Sequence, residues 1–150
     1  MTREKLDRFS HAIIRFYEAL FSWEQSVAKS SGLSPQRHHT IDIVGHTGPI
    51  RMKPLARKLG VTTGTLTAMV QRLERSGYLI RERDPRDHRG FNIALTPKGR
   101  QVHQEHHGHH LALTRDILNR LSRDQASAFA GILEQIPTAF EVPVDERSLR

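Results

Sequence analysis

The 150-residue sequence contains no cysteine. That excludes disulfides, cysteine-ligated zinc and thiol-based sensing of oxidants. No apolar run approaches transmembrane length, and the first residues lack the charged-then-apolar pattern of a secretory leader. A cytoplasmic protein with no membrane partner is expected. There is neither an internal repeat nor a low-complexity linker, and the length suits a single domain over 1–150 with one core. The HExxH pattern of zinc hydrolases is missing, and no carboxylate stands as an evident general base. A histidine-ligated metal hydrolase is therefore only a distant alternative. No enzyme is expected, and no catalytic residue is named.

Charge is present, and it is unevenly placed. Lys and Arg number 23 against 16 Asp and Glu, a formal +7. Residues 51–100 hold 12 of the basic and 4 of the acidic side chains, so the rest of the chain is close to neutral. An excess confined to the central third suits a polyanion footprint better than general solubility. A solvated basic face would account for it if nothing else marked the segment.

Thr2 to Lys29 is free of proline and glycine. Leu6, Phe9, Ile13, Phe16, Leu20, Trp23 and Val27 alternate steps of three and four, the spacing of a coiled-coil seam. Ile14, Tyr17 and Phe21 widen the stripe, which gives this helix more surface to bury than a small domain covers. Ser30-Ser31-Gly32 ends it. Ser34-Pro35 opens a second helix, expected to reach about Val44 and stop at Gly45. Pro54–Leu59 is a brief helix closed by Gly60. Thr62 or Thr63 caps the next, which runs to Ser76 with Leu66, Met69, Val70 and Leu73 on one face. Tyr78–Arg83 and Phe91–Leu95 read as the strands of a hairpin whose tip is Asp84–Gly90. Thr96-Pro97 starts a long helix to about Leu121. Ser122 and Gln125 make a capping box for a last helix through Ile136. A flexible tail is expected over 137–150.

Short helix, glycine turn and threonine-capped helix form a helix-turn-helix, whose second helix fits a DNA major groove. With its apolar face inward, Gly64, Thr65, Thr67, Ala68, Gln71, Arg72 and Arg75 point out. Ala68 could touch a thymine methyl, Gln71 could pair with adenine, and Arg72 with guanine or phosphate. Thr62, Thr63 and the helix N-terminus suit phosphate oxygens. An ordinary surface helix with small polar residues has the same spacing. The loop adds Arg86 and Arg89 beside Asp84 and Asp87, and an arginine at a hairpin tip can enter a narrow minor groove. Arg86 is the expected tip residue. Asp84–Arg86 and Asp87–Arg89 surface ion pairs are the plainer alternative.

Histidines at 103, 106, 107, 109 and 110 crowd the long helix. His106 and His110, four apart, project the same way and can share a metal. Zinc needs about four ligands. His38 and His39 are candidates for a third, and Glu24, Glu105, Glu18 or water for the fourth. The blander alternative is imidazoles hydrogen-bonded across an interface or forming a pH-sensitive contact.

The stretch PLARKLGVTTGTLTAMVQRLERSGYLIRERDPRDHRGFNIALTPKGR, with its RLERSGYL exit, DPRDHR wing and LTPKGR helix start, resembles the DNA-binding core of MarR-family regulators. The resemblance implies a mainly α fold with a small β-hairpin wing, a winged helix-turn-helix. Helices at 2–30 and 97–136 would form the dimer, and 34–96 the DNA-binding region. It implies a homodimeric transcription regulator, expected to be a repressor, reading a pseudo-palindrome in double-stranded DNA. The histidine run further resembles the family's zinc-sensing branch (the AdcR/ZitR type). Matched by position, that likeness makes His106, His110 and His39 ligands, with Glu105 and His38 at a secondary site. The branch's cysteine ligand has no counterpart here, and Glu24 aligns with its N-terminal glutamate only after a shift. Zn2+ is the implied effector and would favour DNA binding. A small phenolic or aromatic ligand controlling the same regulator is the alternative, and a purely structural helical dimer with a fortuitous basic patch is a further one.

Overall fold

The structure, a computed structural model, describes residues 2–87 and 89–137, and of Ser30 only the backbone. Apart from Pro137, the expected flexible tail lies outside the described residues. Among the described residues, six helices and a three-stranded antiparallel sheet fall into two compact units, divided between His109 and His110. No helix among the described residues is long and apolar enough to cross a membrane.

The first unit opens with α1 (Arg3–Ser31), capped by the Thr2 side chain and ended by Gly32 in the left-handed region. At 1.5 Å per residue it is about 43 Å long. The heptad stripe lies open, with Leu6, Phe9, Ile13, Phe16 and Leu20 between 36% and 64% exposed. The helix α2 (Pro35–Thr47) runs past the expected stop. Gly45 is not a terminator: a Cβ there would lie 2.5 Å from the His103 ring, so glycine serves close packing within the helix.

After α2 comes a strand that the sequence reading did not include, β1 (Ile50–Arg51), too short to show any periodicity. The helix α3 (Met52–Leu59) starts two residues earlier than expected, and α4 (Thr63–Arg75) follows across Gly60. Strands β2 (Leu79–Arg83) and β3 (Phe91–Leu95) pair antiparallel, Leu79 opposite Leu95 and Arg83 opposite Phe91. β1 pairs with the other edge of β3, giving the order β1-β3-β2. Leu66, Val70 and Leu73 of α4 join Ile41, Val44, Leu55, Leu79 and Ile93 in one core. At about 1.5–3 kcal/mol for each fully buried aliphatic side chain, that core holds the three-helix and sheet arrangement.

Thr96 starts α5 (Pro97–Leu118), its hydroxyl accepting from Gly99 N at 3.0 Å and donating to Gly77 O at 2.6 Å. The helix stops three residues short of the expected Leu121, in a turn closed by Arg120 N to Ile117 O at 3.1 Å and Leu121 N to Leu118 O at 3.1 Å. In the second unit, Ser122 and Gln125 form the expected capping box of α6 (Arg123–Gln135).

Candidate nucleic-acid interface and histidine seam

The outward face of α4 follows from its inward one. Burying Leu66, Met69, Val70 and Leu73 leaves Thr63, Thr65, Ala68, Gln71, Arg72 and Arg75 exposed and Thr67 half-buried. Thr62 is the N-cap: its hydroxyl accepts from Thr65 N at 3.2 Å, and Thr67 donates its own to Thr63 O at 2.7 Å. The Thr62 cap satisfies one of the N–H groups left open at the start of the helix, where the dipole favours an anion.

The wing tip is organised by its aspartates, but not through the expected pairing with Arg86 and Arg89. Asp84 accepts from Arg51 Nε at 2.9 Å and Nη2 at 2.7 Å, and Asp87 from Arg51 Nη2 at 3.1 Å. Their other oxygens accept backbone N–H groups, Arg86 N at 2.8 Å and Arg89 N at 3.1 Å. Hydrogen bonds from Arg86 N and then from Arg51 hold the Asp84 carboxyl below the usual carboxylate range. The Arg51 guanidinium lies so close to Gly90 that any Cβ there would overlap it. Each carboxylate is paired with Arg51 and held by the loop backbone, and neither pairs with Arg86 or Arg89 among the described residues. The side chains of Arg72, Arg75, Arg86 and Arg89 are exposed and make no ion pair among the described residues, whereas Arg81 is held by Glu74 at 3.2 Å.

A second polar region lies where α1, α2 and the first turns of α5 meet. Asp42, a residue the sequence reading did not single out, is its hub. One carboxylate oxygen accepts from His103 Nδ1 at 3.0 Å, and the other lies 2.5 Å from His106 Nδ1. The backbone carbonyl of Asp42 accepts from His46 Nδ1 at 2.8 Å. His106 is buried and points its Nε2 at Glu24 Oε2, 3.2 Å away. The buried His38 ring stacks on His106 with centroids 4.8 Å apart.

The proton positions around His38 follow from its partners. Ser31 donates its hydroxyl proton to Ala28 O at 2.9 Å, so its oxygen must accept from His38 Nε2. That leaves a bare lone pair on His38 Nδ1, an atom that is buried and has no hydrogen-bond partner. Burial, and then the neighbouring His106, push the His38 imidazole below its usual pKa. A neutral imidazole is the form that binds metal.

The expected ligands thus separate. Glu24, His38 and His106 come together. His39 is exposed, one residue and so about 100° of helix from the inward-facing His38. Glu105 is turned to solvent and accepts from Gln101 Nε2 at 2.9 Å, because it sits the same 100° from His106. His110, half-buried, projects from the same side of α5 as His106, one turn on.

A short helix, a glycine turn, a capped helix with a cationic outer face and an arginine-tipped hairpin define a winged helix-turn-helix protein. Residues 33–91 match the model of the MarR family. Among relatives, the uncharacterized HTH-type transcriptional regulator YcgE of Bacillus subtilis is 42% identical over 75 residues, 50% of this chain and 47% of that one. The match thus spans about half that relative's length. Among solved structures, Streptococcus pneumoniae FabT in complex with DNA superposes with a TM-score of 0.77 and 27% identity, covering 93% of this chain and 98% of that one. A MarR family protein from Bacillus stearothermophilus gives 0.84 at 18% identity over 95% and 99% of the two chains, a likeness of fold. These relatives are regulators rather than enzymes.

Proposed function

We propose that the chain is a sequence-specific transcription regulator that binds a pseudo-palindromic DNA operator as a homodimer, and that Zn2+ held in the histidine seam sets its affinity for DNA. The observation that carries the DNA reading is the set of exposed arginines without ion pairs, Arg72 and Arg75 on α4 and Arg86 and Arg89 on the wing. Counterion release on phosphate contact then supplies affinity, and α4 in the major groove supplies sequence preference. The dimer reading rests on the open heptad stripe of α1, an apolar surface larger than a monomer ordinarily leaves to water.

The seam fits a borderline cation. His106 Nε2 and Glu24 Oε2 stand 3.2 Å apart, close to the spacing of two ligands of one ion. His110, one turn on from His106 in α5, adds an imidazole. When bound, the ion supplies a positive centre between carboxylates. Imidazoles and carboxylates in this number favour a cation over a phenolic ligand. Glu24 on α1 and His106 on α5 then hold the ion, and His38, stacked on His106, couples α2 to it, so the three helices keep one set of angles. Because α2 packs on α3 and β3, those angles reach the helix-turn-helix. Zn2+ can shift DNA affinity only by as much as its own affinity differs between the DNA-binding set of angles and any other.

The test is a gel shift on the duplex upstream of the chain's own gene, with protein sized in solution. A sequence-preferring complex with a dimer supports the regulator. A monomer, or equal binding to every duplex, contradicts it.

A further inference from the structure

Alternation along β3 puts Phe91, Ile93 and Leu95 on one face of the sheet. Their partners on β2 are Arg83, Arg81 and Leu79, which project to the same side. Two of these three rungs are occupied. Leu79 and Ile93 are buried in the core, with Leu95 packed against it, and Arg81 is held by Glu74 of α4 at 3.2 Å. This face is therefore the one turned toward α4. The third rung lies about 7 Å further along the strands. There Phe91 is 50% exposed, and Arg83 is exposed and makes no ion pair among the described residues.

A single exposed ring is common on any protein surface. Its position is what distinguishes Phe91. With α4 in the major groove and the wing tip in the adjacent minor groove, the wing must pass over the sugar-phosphate strand that separates the two grooves. The outermost rung on the face turned to α4 is Arg83 with Phe91. Both parts of that ridge find a match. Deoxyribose presents C–H groups that a phenyl ring can cover, and the phosphate beside it takes a guanidinium. Nearby acids do not oppose the approach: Asp84 and Asp87 are tied to Arg51, and Glu82 projects from the opposite face.

We infer that Arg83 and Phe91 form a saddle on the sugar-phosphate ridge between the grooves, the ring on deoxyribose and the guanidinium on a phosphate. The contact sets how deeply the wing tip enters. The inference rests on the DNA reading above and adds to it a contact that carries no sequence information.

The test combines hydroxyl-radical cleavage, which reads the accessibility of deoxyribose hydrogens, with binding titrations at several salt concentrations. The probe is the duplex upstream of the chain's own gene, beside unrelated duplexes of equal length. On the wild type, protected sugars should run without a gap from the major-groove site to the minor groove of the wing. Phe91→Ala should re-expose the ridge and weaken every duplex by a similar factor, roughly tenfold for uncovering half a phenyl ring. Its salt dependence should match the wild type. Arg83→Gln should lower the slope of log affinity against log salt by about 0.9, the contribution of one phosphate. Both side chains are exposed, so unchanged thermal unfolding separates loss of contact from loss of fold.

An unchanged footprint and affinity in Phe91→Ala overturns the saddle and leaves the DNA reading intact. If Phe91→Ala instead shifts the monomer–dimer equilibrium, the ring belongs against a second copy of the chain, and the saddle is again overturned. If the wild type binds all duplexes alike while the two variants lose affinity as stated, the saddle stands and the operator reading fails. A wild type that binds no duplex removes both.

Discussion

In the wing, Asp84 and Asp87 meet a cation that the chain itself provides, and Arg51 with two loop N–H groups satisfies both carboxylates. In the seam, Glu24 and Asp42 face imidazoles, whose charge depends on a proton or a metal. The first arrangement is self-contained and rigid, which frees Arg86 and Arg89 for a partner outside the molecule. The second has its positive charge supplied conditionally. A fixed internal cation makes a scaffold; under the proposed function, a conditional one makes a control point.

Four experiments break or sharpen that contrast. Arg86→Ala is expected to have the largest effect, a loss of about 1–3 kcal/mol in DNA binding or roughly 5- to 150-fold, greatest for sites with A·T-rich flanks. Titration of duplexes differing only in their flanks measures it, and an equal loss on every flank would remove the minor-groove role. Asp42→Asn keeps the shape of the hub but weakens its hold on the imidazole protons. Zn2+ affinity should fall about 10- to 100-fold in competition with a chelator, with the fold intact by circular dichroism.

A smaller change is expected from Arg51→Met. The pair is partly exposed, so global stability should drop only slightly. Amide exchange at Arg86 and Arg89 should nonetheless speed up, because the loop aspartates lose the guanidinium that fixes them; unchanged exchange would show that the backbone turns suffice. The smallest effect is that of acid on the wing. Asp84 titrates below its ordinary 3.8 in the folded chain, so the unfolded chain takes the proton first. The stability it contributes is therefore complete above that value and lost as pH falls through the folded value. Asp84→Asn should flatten this part of the acid-denaturation curve.

Much of the fold was legible because it rests on local periodicity and caps. Leu66, Met69, Val70 and Leu73 were expected inside and are buried, and Thr62, Thr96 and Ser122 begin helices as their spacing indicates. What escaped depends on long-range contacts. Gly45 reads as a helix stop until His103 is found over it, 58 positions along the sequence numbering from one to the other. Arg51 reads as one more basic residue until the wing folds onto it. The seam left a trace that could have been used: His38, Asp42 and His46 fall four apart on α2, opposite the four-residue pairs His103–His107 and His106–His110 on α5. Spacing by itself does not say which of the adjacent His38 and His39 turns inward; packing against Ser31 and His106 decides it.

The most direct measurement is the affinity of one protein preparation for its operator duplex, first with a chelator and then with saturating Zn2+, by fluorescence anisotropy. The expected result is tighter binding with Zn2+ by about 5- to 150-fold, and no such difference in His106→Ala. Equal affinity under both conditions, or a zinc effect that survives in His106→Ala, would contradict control through the seam.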